Sequence, residues 1–232
     1  MSLINIKQIQ KIENEMLKET LEILERHGID FYMCCGSVLG AIRHKGPIPW
    51  DTDMDILIPL PQLEAARNYL QKELSSRFCI DDLRTNSSYK NFFPRVAMPH
   101  TASDTLHIDL FPIMGLPDDK QEQLKICAEI KKRQNVFIRL KHMRSNISHP
   151  NRIKNMIAWL IELFCSPFTK KQLTEQFYKL ISKYDYDNAK YVMNACGHYG
   201  AKNIFEKEVF GTPVMVPYCE FNAPLPEKWD YY

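Results

Sequence analysis

Residues 31–61 read FYMCCGSVLGAIRHKGPIPWDTDMDILIPLP, and this stretch decides the fold. Its second half carries aspartates at every second position, Asp51, Asp53 and Asp55, and runs directly into the apolar residues 56–58. Like charges at the mouth of a buried strand repel one another and are costly to desolvate. The pattern therefore predicts a strongly positive partner that lies against the aspartates.

The sequence around this stretch predicts an alternation of helices and strands. Residues 5–27 have the hydrophobic spacing of a helix, and Gly28 is a natural end for it. Residues 29–35 read as a short buried strand, and VLGAIRH predicts a short helix after Gly36-Ser37. MDILIP is the second predicted strand, and a helix follows it from Pro61 to about Leu74.

The second half of the chain has a different pattern. NFFPRVAM reads as extended, and LHIDLFPI predicts a third clear strand. Helical spacing then recurs over residues 118–141, 151–165 and 169–184, and the last forty or so residues are mixed. We therefore expect an α/β fold with residues 1–115 as one lobe and residues 116–232 as a mainly helical lobe that ends in a substrate-side segment.

Composition narrows the functional classes. The 232 residues are 45% hydrophobic, which is enough to bury a sizeable core, and the net charge of +2 is too mild to indicate a nucleic-acid binder. The seven cysteines have no framework spacing, so we expect reduced, buried thiols and a cytoplasmic protein. No apolar run resembles a signal peptide, and the longest, Met156 to Cys165, is too short to cross a membrane.

Three carboxylates are predicted to converge at one site. Asp53 and Asp55 are two residues apart on a strand and therefore share a face. Asp109 is a charge on the otherwise apolar strand LHIDLFPI. If the two strands are neighbours, their oxygen ligands suit Mg²⁺, with Mn²⁺ as an alternative.

The Gly36-Ser37 step fits the same site. Glycine lets backbone N–H groups approach a phosphate closely, and a helix N-terminus just after it favours an anion. Ser37 adds a hydroxyl donor. Together with the carboxylates, these residues indicate metal-assisted phosphoryl or nucleotidyl transfer.

At these residues the sequence resembles a known family. CGS at 35–37, DMDI at 53–56 and IDL at 108–110 are similar to the three signatures of the nucleotidyltransferase superfamily with the polymerase-β-like fold. The longer run CGSVLGAIRHKGPIPWDTDMDI resembles the LicD family more specifically. Many relatives have Asp where Thr52 stands, and they usually continue after the tail FNAPLPEKWDYY into a further segment.

The resemblance implies a nucleotidyltransferase-like catalytic lobe and a LicD-like transferase. Such an enzyme moves phosphocholine or a similar group from a CDP-linked donor to a sugar hydroxyl of a cell-surface glycan or teichoic-acid precursor. Asp51, Asp53, Asp55 and Asp109 would hold Mg²⁺, with Asp109 also the base for the acceptor hydroxyl. The donor would be bound by residues of the first run and of the extended segment NFFPRVAM: Gly36, Ser37, Arg43, Lys45, Trp50 and Arg95.

Other interpretations of these residues stay open at this stage. The aspartate run could be a solvated strand entry, and Arg43 and Lys45 could belong to an exposed helix end. Arg95 needs a partner, which is either an aspartate or the substrate. Trp50 is either packed in the core or a turn, or it is a platform for a base or a choline cation.

Three functional classes and one location question follow. Besides the LicD-like reaction, the chain could move NMP from an NTP to a small-molecule hydroxyl, or it could be a non-catalytic scaffold. Residues 151–171 predict a core helix or a helix that rests on the inner membrane surface, where lipid-linked acceptors are found. The donor alcohol, the acceptor glycan and the oligomeric state do not follow from the sequence.

Overall fold

The computed structural model describes residues 5–86, 89, 91–99, 106–145, 167–197 and 199–232. The α-helices within them are α1 (Ile6–Arg26), α2 (Cys35–His44), α3 (Leu60–Glu73), α4 (Lys120–Ser145) and α5 (Pro167–Ile181). The strands are β1 (Tyr32–Met33), β2 (Met54–Pro59), β3 (Cys79–Asp81), β4 (Arg95–Ala97), β5 (His107–Leu116), β6 (Tyr191–Asn194), β7 (Ile204–Glu206), β8 (Val214–Tyr218) and β9 (Phe221–Leu225). Two short 3-10 helices, Gly200–Asn203 and Lys207–Val209, flank β7.

Seven strands form one mixed sheet with the central order β1-β2-β5-β4-β3, and β6 and β7 extend it from β5. β2 and β5 run parallel, whereas the pairs β1–β2, β3–β4, β4–β5, β5–β6 and β6–β7 are antiparallel. β5 is long enough to pair with β4 through residues 107–109 and with β6 through residues 113–116. β8 and β9 form a separate hairpin.

β2 is an inner strand of the sheet, between β1 and β5, and its composition suits that position. Ile56, Leu57 and Ile58 are completely buried, which is typical of a strand covered on both faces. One core packs residues of α1 and α3 against Ile56 and Ile58. A second core packs residues of α4, α5 and β6 against Leu57 and the neighbouring Phe111 of β5.

The observed elements confirm much of the expected alternation. α1 occupies the predicted helix 5–27, β2 is the predicted strand MDILIP, and β5 covers the predicted strand LHIDLFPI from His107 onward. The α/β class is therefore confirmed. The two-lobe description is not confirmed, because β6 and β7, which lie in the second half of the chain, extend the same sheet.

Two further expectations concern helices. α2 begins at Cys35, earlier than predicted, so Gly36 and Ser37 lie inside its first turn rather than before it. The predicted helix 151–165, and with it most of the membrane-surface hypothesis for 151–171, lies outside the described residues. In the described part of the chain, no helix is both long enough and apolar enough to cross a membrane.

Candidate active site

Two aspartates face each other across the central strand pair. Asp55 of β2 and Asp109 of β5 are register partners in the parallel ladder, so the predicted neighbourhood of these strands is confirmed. Both side chains lie on the sheet face that also carries Leu57 and Phe111. The fold thus brings two carboxylates from residues far apart in the sequence to one edge of this face.

Asp51 and Asp53 stand in the segment that leads into β2. The Asp51 carboxylate accepts hydrogen bonds from the backbone N–H groups of Thr52 (3.0 Å) and Asp53 (3.4 Å). The side chain of Gln10 on α1 donates to the carbonyl of Asp51 (2.8 Å), which ties this turn to the helix. Asp51 is half-buried and Asp53 is exposed.

The negative charges of the site act on one another. The pKa of Asp55 is raised well above its ordinary value by burial and, after that, by the charges of Cys35, Asp109 and the two aspartates Asp53 and Asp51. The contribution of these neighbouring charges means that ionised carboxylates repel one another here. A cation bound among these oxygen atoms would relieve the repulsion, so the donor set fits a hard divalent metal.

The first turn of α2 lies against the aspartates. The Ser37 hydroxyl oxygen accepts a hydrogen bond from the backbone N–H of Asp55 (3.0 Å). A Cβ atom at Gly36 would lie 3.0 Å from a carboxylate oxygen of Asp51, so glycine permits this close approach. The N-cap residue Cys34 makes no side-chain capping bond, and the backbone N–H of Ser37 donates to the Cys34 carbonyl (3.0 Å).

The opposite end of α2 is a different environment. Arg43 and Lys45 are exposed there, and a rise of 1.5 Å per residue puts Arg43 about 10 Å along the axis from Gly36. Trp50 is 76% exposed, so the interpretation of it as a core residue is wrong. Its ring meets that of His44 edge-on, with the centroids 6.4 Å apart.

Arg95 and His107 flank Asp109. Arg95 of β4 is the register partner of Asp109, and its guanidinium donates to Asp81 of β3 at 3.0 and 3.2 Å. The same guanidinium lies 5.2 Å from the ring centroid of Tyr89. His107 Nε2 is 3.5 Å from a carboxylate oxygen of Asp109. The partner that the sequence requires for Arg95 thus includes Asp81, which sequence reasoning did not name.

Glu13 of α1 is a site neighbour that sequence reasoning missed. Its side chain is completely buried, and neither carboxylate oxygen has a hydrogen-bond partner among the described residues. Burial and then the charges of Asp53 and Asp51 raise its pKa to about 8. The available signal was its position between Ile12 and Met16 on the apolar side of the helix, where an acid is unexpected.

Cys34 and Cys35 were also missed. The prediction of buried cysteines holds for Cys34 but is wrong for Cys35 and Cys219, which are exposed. Hydrogen bonding with Cys34, and then with Asp55 and Tyr232, lowers the pKa of the Cys35 thiol. Tyr232 thereby joins the tail of the chain to the start of α2, a contact for which the sequence carries no local signal.

A cavity of about 1180 Å³ opens on the same side of the sheet. Its walls come from α3, from residues 82–84, 89 and 91–94, and from α5, and they include the aromatic residues Tyr89, Phe92, Phe93 and Tyr178. The ring of Phe93 meets that of Phe111 edge-on, with centroids 4.6 Å apart, and Phe111 follows Asp109 on the same strand face. None of the four aspartates lines the cavity, which therefore lies beside the carboxylates rather than over them.

Comparison with known proteins decides the family. The model of the LicD/FKTN/FKRP nucleotidyltransferase domain matches residues 28–152, more than half of the 232-residue chain. The chain belongs to this family. The matched span of this LicD-family member contains α2, β2 and β5, and so it includes all four aspartates together with Gly36 and Ser37.

The similar proteins differ in how much they cover. The lipopolysaccharide cholinephosphotransferase LicD of Haemophilus influenzae is 23% identical over 87% of this chain and 77% of its own length. The human ribitol 5-phosphate transferase FKRP is 31% identical over 42% of this chain and 19% of its own length. An uncharacterised protein of Rickettsia prowazekii is 43% identical over 18% of this chain, and the alignment spans only 16% of that relative.

These relatives bear on the class of reaction. The two named ones are, by their names, transferases of phosphate-containing groups. Membership of the family therefore supports an enzyme of this broad class for the LicD-family chain described here.

Proposed function

We propose that this chain is a phosphotransferase that moves a phospho-alcohol, with phosphocholine as the first choice, from a CDP-linked donor to a sugar hydroxyl. The acceptor is a cell-surface glycan or teichoic-acid precursor. The observation that carries the proposal is the pairing of Asp55 with Asp109 beside the first turn of α2. The similarity to the lipopolysaccharide cholinephosphotransferase LicD over most of the chain supports the choice of donor.

Asp51, Asp53, Asp55 and Asp109 would hold Mg²⁺, with Mn²⁺ as the alternative. Their oxygen atoms are the donors that such hard cations prefer, and their mutual repulsion is what a cation relieves. When bound, the metal neutralises charge on the donor phosphates. The protein contributes the fixed positions of the carboxylates, which come from the register of β2 with β5 and from the anchored turn at Asp51.

The first turn of α2 would bind the donor phosphates. Its backbone N–H groups carry the positive end of the helix dipole, which favours an anion. Because the Ser37 oxygen accepts from Asp55, its hydroxyl hydrogen is left to donate to a phosphate oxygen. Arg43, Lys45 and Trp50, at the far end of the same helix, would bind the nucleotide or the alcohol head group.

Asp109 would accept the proton of the attacking sugar hydroxyl. It is the carboxylate on β5, beside His107 and opposite Arg95, where ion pairing can orient it. We propose that the acceptor lies in the cavity next to it, between Phe93 and Tyr178. Aromatic walls suit the apolar faces of sugar rings, and the ion pairs Arg67–Asp82 and Arg84–Glu64 lie at its lining.

The test is to identify which phosphorus is attacked. The protein with Mg²⁺ is incubated with CDP-choline, CDP-ribitol, CDP-glycerol, CTP and ATP in separate samples, and products are read by phosphorus NMR. We expect slow conversion of a CDP-alcohol to CMP and the phospho-alcohol even without acceptor, because water can replace the sugar hydroxyl. We expect no pyrophosphate from either NTP.

Two outcomes would contradict the proposal in different ways. Pyrophosphate from CTP or ATP, with every CDP-alcohol intact, would favour the alternative in which the enzyme moves NMP to a small-molecule hydroxyl. No turnover of any compound, in a protein whose melting temperature also ignores Mg²⁺, would favour the non-catalytic scaffold. Asp55→Asn is the matched negative control, since it removes one charge and keeps the side-chain volume.

A further inference from the structure

Two sulfur atoms and one carboxylate oxygen, all able to bind a metal ion, lie close together at the start of α2. The sulfur atoms of Cys34 and Cys35 and a carboxylate oxygen of Asp55 all lie within 4.8 Å of one another. Within the described residues this is the one group of three or more His, Cys, Asp and Glu side chains with such spacing. The aspartates of the proposed active site join it only through Asp55.

The spacing suits a tetrahedral cation with sulfur ligands. With Zn–S bonds of about 2.3 Å, two sulfur atoms on a tetrahedral ion lie about 3.8 Å apart, and a sulfur and an oxygen slightly closer. These separations fall inside the observed limit of 4.8 Å, so the donors need little movement to share one ion. Two thiolates select thiophilic ions such as Zn²⁺ over Mg²⁺, which prefers oxygen.

The fold fixes these donors and leaves one of them accessible. The Cys34 backbone N–H donates to the Asp55 carbonyl (3.1 Å), which joins the end of β1 to the start of β2. Cys34 is completely buried in an extended conformation, whereas Cys35 is exposed and has a left-handed φ of 53°. A non-glycine residue is rarely held in that conformation, and here its thiol lies close to that of Cys34. The exposed thiol gives an ion a path of entry.

We propose that Cys34, Cys35 and Asp55 bind one thiophilic divalent cation of the Zn²⁺ class, with a water molecule as the fourth ligand. Because Asp55 belongs to both donor sets, an ion at the cysteine site would remove Asp55 from the Mg²⁺ site. Zn²⁺ would then inhibit the transferase, because the Mg²⁺ site would lose one of its carboxylate ligands. This second step rests on the proposed function, whereas the binding site itself does not.

Cobalt is the probe for the binding step. Co²⁺ is titrated into the fully reduced protein, and thiolate-to-cobalt charge transfer is followed in the near ultraviolet, with no substrate present. We expect a band that saturates at one ion per chain and that disappears when Zn²⁺ is added. Cys35→Ser should lower the band at saturation to half or less, and Asp55→Asn should weaken cobalt binding about tenfold or more while thiolate absorption persists at high cobalt.

Matched controls separate this site from the other thiols. Cys219→Ser removes an exposed thiol on the β8–β9 turn and should leave the titration as in the wild type. Cys34→Ser removes a buried thiol, so its folding is checked by circular dichroism before its band is compared. An unchanged band in Cys35→Ser, or no thiolate band in the wild type at a hundredfold excess of Co²⁺, would overturn the site.

The competition is measured separately. In the wild type, micromolar Zn²⁺ should suppress the Mg²⁺-dependent release of CMP, and Cys35→Ser should resist it. A wild type that binds cobalt through both thiols but keeps full activity with Zn²⁺ would overturn the competition and leave the site. A wild type that binds cobalt but never releases CMP would count against the proposed function alone.

Discussion

The two faces of the strand pair β2–β5 differ at one end only. Towards α1 and α3 the pair presents Met54, Ile56 and Ile108, all buried, from its first residues onward. Towards α4 and α5 it begins with Asp55 and Asp109 and becomes apolar two residues later. Side chains of a pleated strand alternate between its two faces. β2 and β5 therefore contribute to the core on one face and carry Asp55 and Asp109 at the edge of the other.

The largest expected effect is a loss of activity when Asp109, at the polar edge, is changed. Asp109→Asn should lower the rate of CMP release by about 10² to 10⁴, because it removes the proposed proton acceptor. The free energy of unfolding should change little, because the lost repulsion from Asp55 offsets the lost contact with His107. Rates are read by phosphorus NMR and stability by urea denaturation.

A change at the neighbouring residue, Ile108, should lower stability rather than activity. Ile108→Ala empties a fully buried position on the other face and should lower the free energy of unfolding by about 2–5 kcal/mol. Activity per folded molecule should change far less than in Asp109→Asn. If Asp109→Asn instead unfolds the protein as readily as Ile108→Ala, the polar edge is part of the core and the contrast fails.

A pH-dependent effect on stability concerns Glu13, the fully buried acid of α1. Glu13 has a raised pKa of about 8 against an ordinary 4.5, so it is protonated in the folded protein at pH 7. Its contribution to stability is fully present below pH 4.5 and is lost as the pH rises through about 8. The wild type should therefore lose up to about 1.4 kcal/mol per pH unit in this window, relative to Glu13→Gln.

The measurement is urea denaturation at several pH values between 5 and 8.5, without metal. Glu22→Gln, an exposed change on the same helix, is the control and should follow the wild-type profile. Parallel profiles for the wild type and Glu13→Gln would mean that Glu13 is ionised in the fold. The carboxylates of Asp51 and Asp53 and the hydroxyl of Tyr218 are the groups that face it.

The smallest effect tests the cavity beside the polar edge. Thr174→Trp on α5 places a large ring in the cavity and should raise the KM for the acceptor about tenfold, which corresponds to about 1.4 kcal/mol of binding. The rate of donor hydrolysis without acceptor should remain that of the wild type. Lys179→Trp, an exposed change on the same helix, is the control. Equal acceptor KM values in all three proteins would place the acceptor elsewhere.

The sequence predicts those parts of the fold whose signal is local. Apart from Asp55, His107 and Asp109, β2 and β5 are apolar runs, so the strands could be predicted, and the convergence of Asp55 with Asp109 followed once the two strands were taken as neighbours. β6 and β7 have four and three residues, and their place depends on pairing with the distant β5, for which no nearby residue gives a signal.

The site follows the same rule. Gly36 and Ser37 were predicted from a motif, and the structure places them against Asp51 and Asp55. Glu13 and Tyr232 reach the site only because α1 and the tail of the chain close over it. Such contacts arise from the tertiary fold, and the spacing of residues along the chain does not encode them. The roles of all these residues remain predictions.

The hydrogen bond between the side chains of Cys35 and Tyr232 also has a consequence for how the protein is synthesised. Cys35 is synthesised early, and Tyr232 follows 197 residues later in the chain. At 5–20 residues per second, roughly 10–40 s separate the two on the ribosome. Throughout that interval the nascent chain lacks the Tyr232 side chain, so this contact between the tail and the start of α2 forms only after the sheet and both cores have been synthesised.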